Sequence, residues 1–258
     1  MITLIYDLII GVSLPFLGTL SGASFVLFAR NNVSDKTQRM ISGFAAGVMV
    51  AAAVWSLLIP AMEHVSFLGV LSFVPAVMGF WLGIFTFAGA EKLLERHEIS
   101  DSDNGIKSIL VTVVAIVLHN FPEGMAVGVV YAGIISGEGL ISLAGAFALS
   151  LGIAVQNIPE GAIVSLPLKS IGFSKVKSFG YGVLSGVVEP IGAVITILLF
   201  NLCLPVFPFF LGFAAGAMVY VVVDELIPGM TRGGCDNIGT LLFAVGFSLM
   251  MSLDVALG

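Results

Sequence analysis

His119-Asn120-Phe121-Pro122-Glu123-Gly124 and Gln156-Asn157-Ile158-Pro159-Glu160-Gly161 are two spellings of one hexapeptide, [His/Gln]-Asn-x-Pro-Glu-Gly, set 37 positions apart. Each lies deep inside a long apolar run. A charged side chain at a bilayer centre costs roughly 2.5–3.5 kcal/mol even on the lenient insertion scale. The proline removes a helical hydrogen bond and crowds the carbonyl four residues back, that of Leu118 or Val155. One such peptide could arise by accident. Two mark a site.

The runs that hold the pair set the fold class. The chain has 258 residues, 58% hydrophobic and 10% charged, with a mean hydropathy of +1.12. Soluble domains carry about 25% charged residues, so lipid is the main solvent here. Eight apolar segments are long enough to cross a core of about 30 Å, near 4–29, 41–61, 67–90, 106–131, 139–167, 179–201, 206–228 and 238–256. A membrane barrel needs alternating strands of about ten residues; these unbroken Leu/Val/Ala/Gly runs predict helices. The segments consume nearly the whole chain, which leaves a single all-α membrane domain over 1–258. No nucleic-acid partner and no resident cofactor is expected.

Charge placement orients the segments. All ten Lys and Arg fall in the connections after segments one, three, five and seven, and none elsewhere. The positive-inside rule makes that face cytoplasmic and puts both termini outside the cytoplasm. The N-terminal run lacks a basic n-region and precedes Arg30, so it reads as a spanning helix rather than a cleavable signal. Cys203 and Cys235 are separated by one spanning helix and cannot pair.

The chain also repeats itself. Gly43-Phe-Ala-Ala-Gly-Val-Met49, ending at Pro60, returns as Gly212-Phe-Ala-Ala-Gly-Ala-Met218, ending at Pro228, with one residue of slip. Weaker echoes join Leu20-Ser21-Gly22 to Leu184-Ser185-Gly186, and Gly79-Phe80 to Gly246-Phe247. Segments 1–3 thus pair with 6–8, and 4 with 5, always an odd segment with an even one. That is a 3+2+3 inverted repeat, and such repeats place substrate near the midplane where Gly or Pro interrupts a helix. Both hexapeptides fall at that depth.

On a helix, His119, Asn120 and Glu123 share one face, as do Gln156, Asn157 and Glu160. Glu189, before Pro190, adds a third intramembrane carboxylate, and Met49 could add a thioether. Carboxylates and amides with one imidazole suit a divalent cation, with Zn²⁺ or a neighbouring transition metal ahead of Mg²⁺ or Ca²⁺. The bland readings compete residue by residue. The glutamates could be a structural pair, the amides interhelical glue, and Met49 packing filler. Asp224 and Glu225, near the cytoplasmic end of segment 7, read equally as an exit-side metal site or a solvated helix end. Small-residue faces suit a homodimer without demanding one.

The pattern resembles the ZIP (Zrt-, Irt-like protein) family of divalent-metal transporters, most closely its GufA-like branch. Besides the hexapeptides, it includes Ser185-Gly186-Val187-Val188-Glu189-Pro190 and the closing Met250-Met251-Ser252-Leu253-Asp254. The resemblance implies eight helices in a 3+2+3 bundle of the plasma or inner membrane. It implies one metal position at Met49, His119, Glu123, Gln156 and Glu160, and a second at Asn120, Asn157 and Glu189 that shares Glu123 and Glu160. Metal would be cargo entering the cytoplasm: zinc first, with Cd, Fe, Mn or Co as further substrates. Gln156 departs from the second histidine of many members. A passive metal-selective channel uses the same residues. An intramembrane metalloenzyme is the rival of another class, disfavoured by the lack of His-Glu-x-x-His and by the duplicated ligands.

Overall fold

The computed structural model describes residues 2–29, 34–99, 105–137, 141–170, 172–203, 206–231 and 236–257. The side chains at 2–4, 94–99, 105–119, 163, 167, 170 and 200–203 lie outside this description. So do Cys235 and the side chains of Cys203 and His119. Among the described residues there are helices and no strands. In chain order they are α1 (Ile2–Phe28), α2 (Asp35–His64), α3 (Phe73–Ile99), α4 (Gly105–Ile135), α5 (Leu143–Ser170), α6 (Lys175–Cys203), α7 (Phe207–Thr231) and α8 (Ile238–Leu257). All but α4 contain a described stretch long and apolar enough to cross a bilayer. α4, 31 residues long, carries the first hexapeptide.

The helices overrun the apolar segments where polar caps extend them. Ser34 Oγ accepts from the Thr37 N–H at 3.2 Å and so starts α2 ahead of its first apolar run. The third segment begins later than its apolar run does. Residues 66–71 form a 3₁₀ turn with Gly69 at φ +57°, a conformation that favours glycine. Phe67 and Val70 on this turn are exposed, so hydropathy reads an apolar surface turn as helix. The prolines do not interrupt. Pro15, Pro122, Pro159 and Pro190 all sit inside continuous helix, because each removes one bond and neighbouring helices hold the backbone in place.

That holding is done by glycine. A methyl built on Gly18 would stand 2.1 Å from the Ala154 carbonyl oxygen, and one on Gly22 1.9 Å from that of Ile158. Residue numbers rise together along both helices, so α1 and α5 run parallel in near backbone contact. The same four-residue glycine spacing packs α4 on α6 (Gly124 on Glu189, Gly128 on Ala193) and α2 on α8 (Gly43 on Gly239, Gly47 on Phe243). It also packs α3 on α7, through Gly79 on Phe209 and Gly83 on Phe213. Small residues let backbones approach closely where lipid offers no hydrophobic drive. α1, α4, α5 and α6 form one set of neighbours, while α2, α3, α7 and α8 form another. An alanine-rich core, including Ala45, Met49, Ala126, Ala146 and Ala215, lies between the sets.

Two contacts recur across the molecule. Gly43 and Gly47 meet α8 as Gly212 and Gly216 meet α3, at Ala76 and Phe80. Gly246 meets the Phe44 carbonyl as Gly83 meets that of Phe213. The contacts therefore match Gly246 with Gly83, one helical turn from the Gly79 that the sequence echo selects. The one-residue slip between the α2 and α7 repeats also has a place. Both helices widen into a π turn, six residues at Ala53–Leu58 and five at Val222–Leu226, just before Pro60 and Pro228.

Candidate metal centre

Four helices bring polar side chains to one buried cluster. From α4 come Asn120 and Glu123, from α5 Gln156, Asn157 and Glu160, from α6 Glu189, and from α1 Thr19. Asn120, Glu123 and Glu189 are 1% exposed, and Gln156, Asn157 and Thr19 are 0% exposed. Gln156 Nε2 donates to Glu123 Oε1 at 2.5 Å. Glu189 Oε1 accepts from Thr19 Oγ1 at 2.7 Å and from Asn120 Nδ2 at 3.1 Å. Asn157 and Glu160 lie close to both Glu123 and Glu189.

The two asparagines are anchored alike. Asn120 Nδ2 donates to the Ser185 carbonyl at 3.1 Å, and Asn157 Nδ2 to the Pro15 carbonyl at 3.3 Å. Gly124 packs on the Glu189 carbonyl, and Gly161 on that of Thr19. The α4–α6 and α5–α1 crossings are thus one contact made twice, with Thr19 standing where Glu189 stands. Here too the contacts lie in a different register from the Leu-Ser-Gly echo of α1 and α6. Sequence reasoning missed Thr19, whose neighbours Gly18, Ser21 and Gly22 mark the stretch as packing. Its signal was indirect: the partner of Asn157 had to lie on a helix that crosses α5 as α6 crosses α4.

The cluster is rich in acceptors and short of donors. Glu123 Oε2, Gln156 Oε1, Asn157 Oδ1 and Glu189 Oε2 are buried without a hydrogen-bond partner. Leaving such a group unsatisfied costs about 1–3 kcal/mol. Four orphaned oxygens and no orphaned donor in one cluster favour a cation. Among the described residues no three His, Cys, Asp or Glu side chains converge as a metal-holding group; the convergence is of carboxylates with amides.

Met49, Asp224 and Glu225 lie on α2 and α7, and the side chain of His119 lies outside the description. His119 belongs to α4 by its backbone, one turn before Glu123. Met49 is 1% exposed in the alanine-rich core on α2. Asp224 and Glu225 are exposed on the π turn of α7 and do not join the cluster. Asp254, unexplained by its sequence context, accepts from Ser56 Oγ at 2.6 Å, which ties α8 to the π turn of α2.

Comparison with known proteins agrees with this architecture. The family model described as ZIP Zinc transporter matches residues 95–254. The chain is 35% identical to the zinc transporter GufA of Myxococcus xanthus, over 93% of this chain and 96% of that protein. It is 33% identical to the zinc transporter ZIPB of Bordetella bronchiseptica, over 97% of this chain and 81% of that protein. To the human zinc transporter ZIP11 it is 32% identical over 98% of each. With the family model covering more than half its length and these relatives nearly all of it, the chain belongs to the ZIP zinc transporter family.

Proposed function

We propose that the protein carries zinc across the membrane into the cytoplasm, binding it at the carboxylate–amide cluster between α1, α4, α5 and α6. The observation that carries this reading is the set of four orphaned oxygens on Glu123, Gln156, Asn157 and Glu189. A divalent cation satisfies all of them at once, and His119 supplies the nitrogen donor that zinc favours. The relatives named above as zinc transporters give the metal its first candidate. Amide oxygens are harder donors than a second imidazole, which favours admitting Mn²⁺ and Fe²⁺, with Co²⁺ and Cd²⁺ as further candidate substrates. In this reading Glu123 and Glu160 bridge two ions, with Met49, His119 and Gln156 completing one position and Asn120, Asn157 and Glu189 the other.

The proposal includes one membrane domain, an inverted 3+2+3 repeat, both termini outside, and residence in the plasma or inner membrane as a monomer or homodimer. The recurring crossings support the repeat. Lys169 Nζ and Lys175 Nζ donate to the carbonyls of Ala29 and Leu27 at 2.7 and 2.9 Å, which places two of the basic connections on one face. Asp224 and Glu225 would receive metal on the way out.

Proteoliposomes holding a fluorescent chelator test the reading. Saturable zinc entry, lost in Glu123→Ala/Glu160→Ala, is expected. Zinc that binds tightly and never crosses would overturn transport in favour of an enzyme or sensor, and entry that never saturates would favour a channel.

A further inference from the structure

An apolar cavity lies along α4 from the metal centre and has the opposite chemistry. It occupies ≈ 190 Å³ between α4, α6 and α7. Its floor is Met125, Val129 and Phe207, all at most 9% exposed. Phe121 and Phe210 form its walls. The one hydroxyl on its lining, that of Thr196, is spent on the Gly192 carbonyl at 2.8 Å. No polar group of the lining is therefore left to hold water or an ion. An apolar cavity of about 150 Å³ stays dry and binds small hydrocarbons.

The mouth decides what enters. Ile195 and Leu199 form the rim and are 41% and 47% exposed. They continue an apolar face of α6 that includes Ile191, Val194 and Leu198. In a membrane-spanning helix such a face meets lipid tails. The cavity is thus a side pocket on the lipid-facing side of α6, with Phe121 in its lining.

We propose that this cavity holds one acyl chain of a membrane lipid. The chain enters past Ile195 and Leu199, between α6 and its neighbours, and lies along Met125 and Val129, against the first turn of α7. Its inner end meets the ring of Phe121, which sits between Asn120 and Pro122 and packs on Gly192. The chain therefore bridges α4 and α6 on one side and α7 on the other, where the two helix sets meet.

The full chain in lipid nanodiscs, one copy per disc, is doped with a phospholipid bearing a diazirine near the end of one acyl chain. After irradiation the labelled residues are read by mass spectrometry. Labelling at Met125 and Val129 is expected alongside that of the open lipid face at Leu198. Val129→Phe fills the floor, and Leu199→Trp, on the tolerant rim, closes the mouth. Each should cut labelling of Met125 about tenfold, as when a side chain takes the room of a ligand, and leave Leu198 labelled as before. That retained label also reports folding. Absence of label from the floor of the unaltered chain, or floor labelling that neither substitution reduces, would overturn the proposal. So would loss of the floor label in discs that hold two copies, where a second copy would be the occupant of the cavity.

Discussion

The two hexapeptides read alike and are built differently. On α4, Glu123 is fully buried and bonded to Gln156, and Asn120 faces a carboxylate, Glu189, across the α4–α6 crossing. On α5, Glu160 is part-exposed, and across the equivalent crossing Asn157 finds the Pro15 carbonyl with Thr19 where a carboxylate stands opposite. The backbone contacts and one glutamate are duplicated, while Glu189 and His119 have Thr19 and Gln156 as their counterparts. Two matching crossings thus carry an asymmetric centre, with two carboxylates on the α4–α6 side and one carboxylate, two amides and a hydroxyl on the α5–α1 side.

The sharpest way to break this comparison is to remove each glutamate alone. Glu123→Ala strands the buried Gln156 amide and removes an acceptor from the centre, so zinc uptake should fall by about two orders of magnitude or more. Glu160→Ala should cost about tenfold. Equal losses in a proteoliposome assay would make the two motifs interchangeable and the asymmetry irrelevant. Next come the crossings. A methyl at Gly124 would meet the Glu189 carbonyl at 2.1 Å and one at Gly161 the Thr19 carbonyl at 2.1 Å, so Gly124→Ala and Gly161→Ala should destabilise alike, by about 1–3 kcal/mol. Gly89→Ala, with nothing within 4 Å, should be neutral or stabilise by about 1 kcal/mol. Thermal unfolding in detergent ranks the three.

Smaller effects sharpen the comparison further. Thr19→Val removes one of the two donors to Glu189 Oε1 and should weaken zinc affinity about fivefold, a loss near 1 kcal/mol. Thr19→Ser should restore it, whereas a purely packing role would make the isosteric valine the better replacement. Gln156→His makes the α5 motif read His-Asn-x-Pro-Glu-Gly like its twin. Competition uptake should then favour zinc over manganese more strongly, since imidazole suits zinc and oxygen suits manganese. Least of all, Asp224→Asn with Glu225→Gln should slow zinc release about twofold and leave binding intact, as exposed charges act weakly.

How much of this was legible beforehand follows from what each residue does locally. The hexapeptides, Glu189 and the eight spans announce themselves because a charge or a proline in an apolar run costs free energy wherever the run folds. Thr19 does not: its hydroxyl matters through Glu189, on a helix far away in the chain. Nor does the register of the repeats, because a glycine reports that some backbone comes close without saying which. Residues 66–71 misled for a plain reason, since an apolar turn at the membrane surface has the hydropathy of a helix.

The π turns of α2 and α7 act on helix length. Adding one residue to a regular helix swings everything beyond it through about 100° and would carry a buried face round toward lipid. In α2 the surplus residue is absorbed within a six-residue π turn where α7 has five, and the Leu-Ile-Pro that follows keeps its station in both. A wide turn of this kind works as a mechanical tolerance. It lets two helices of matching sequence differ in length by one residue while Pro60 and Pro228 follow the turn at the same distance in both.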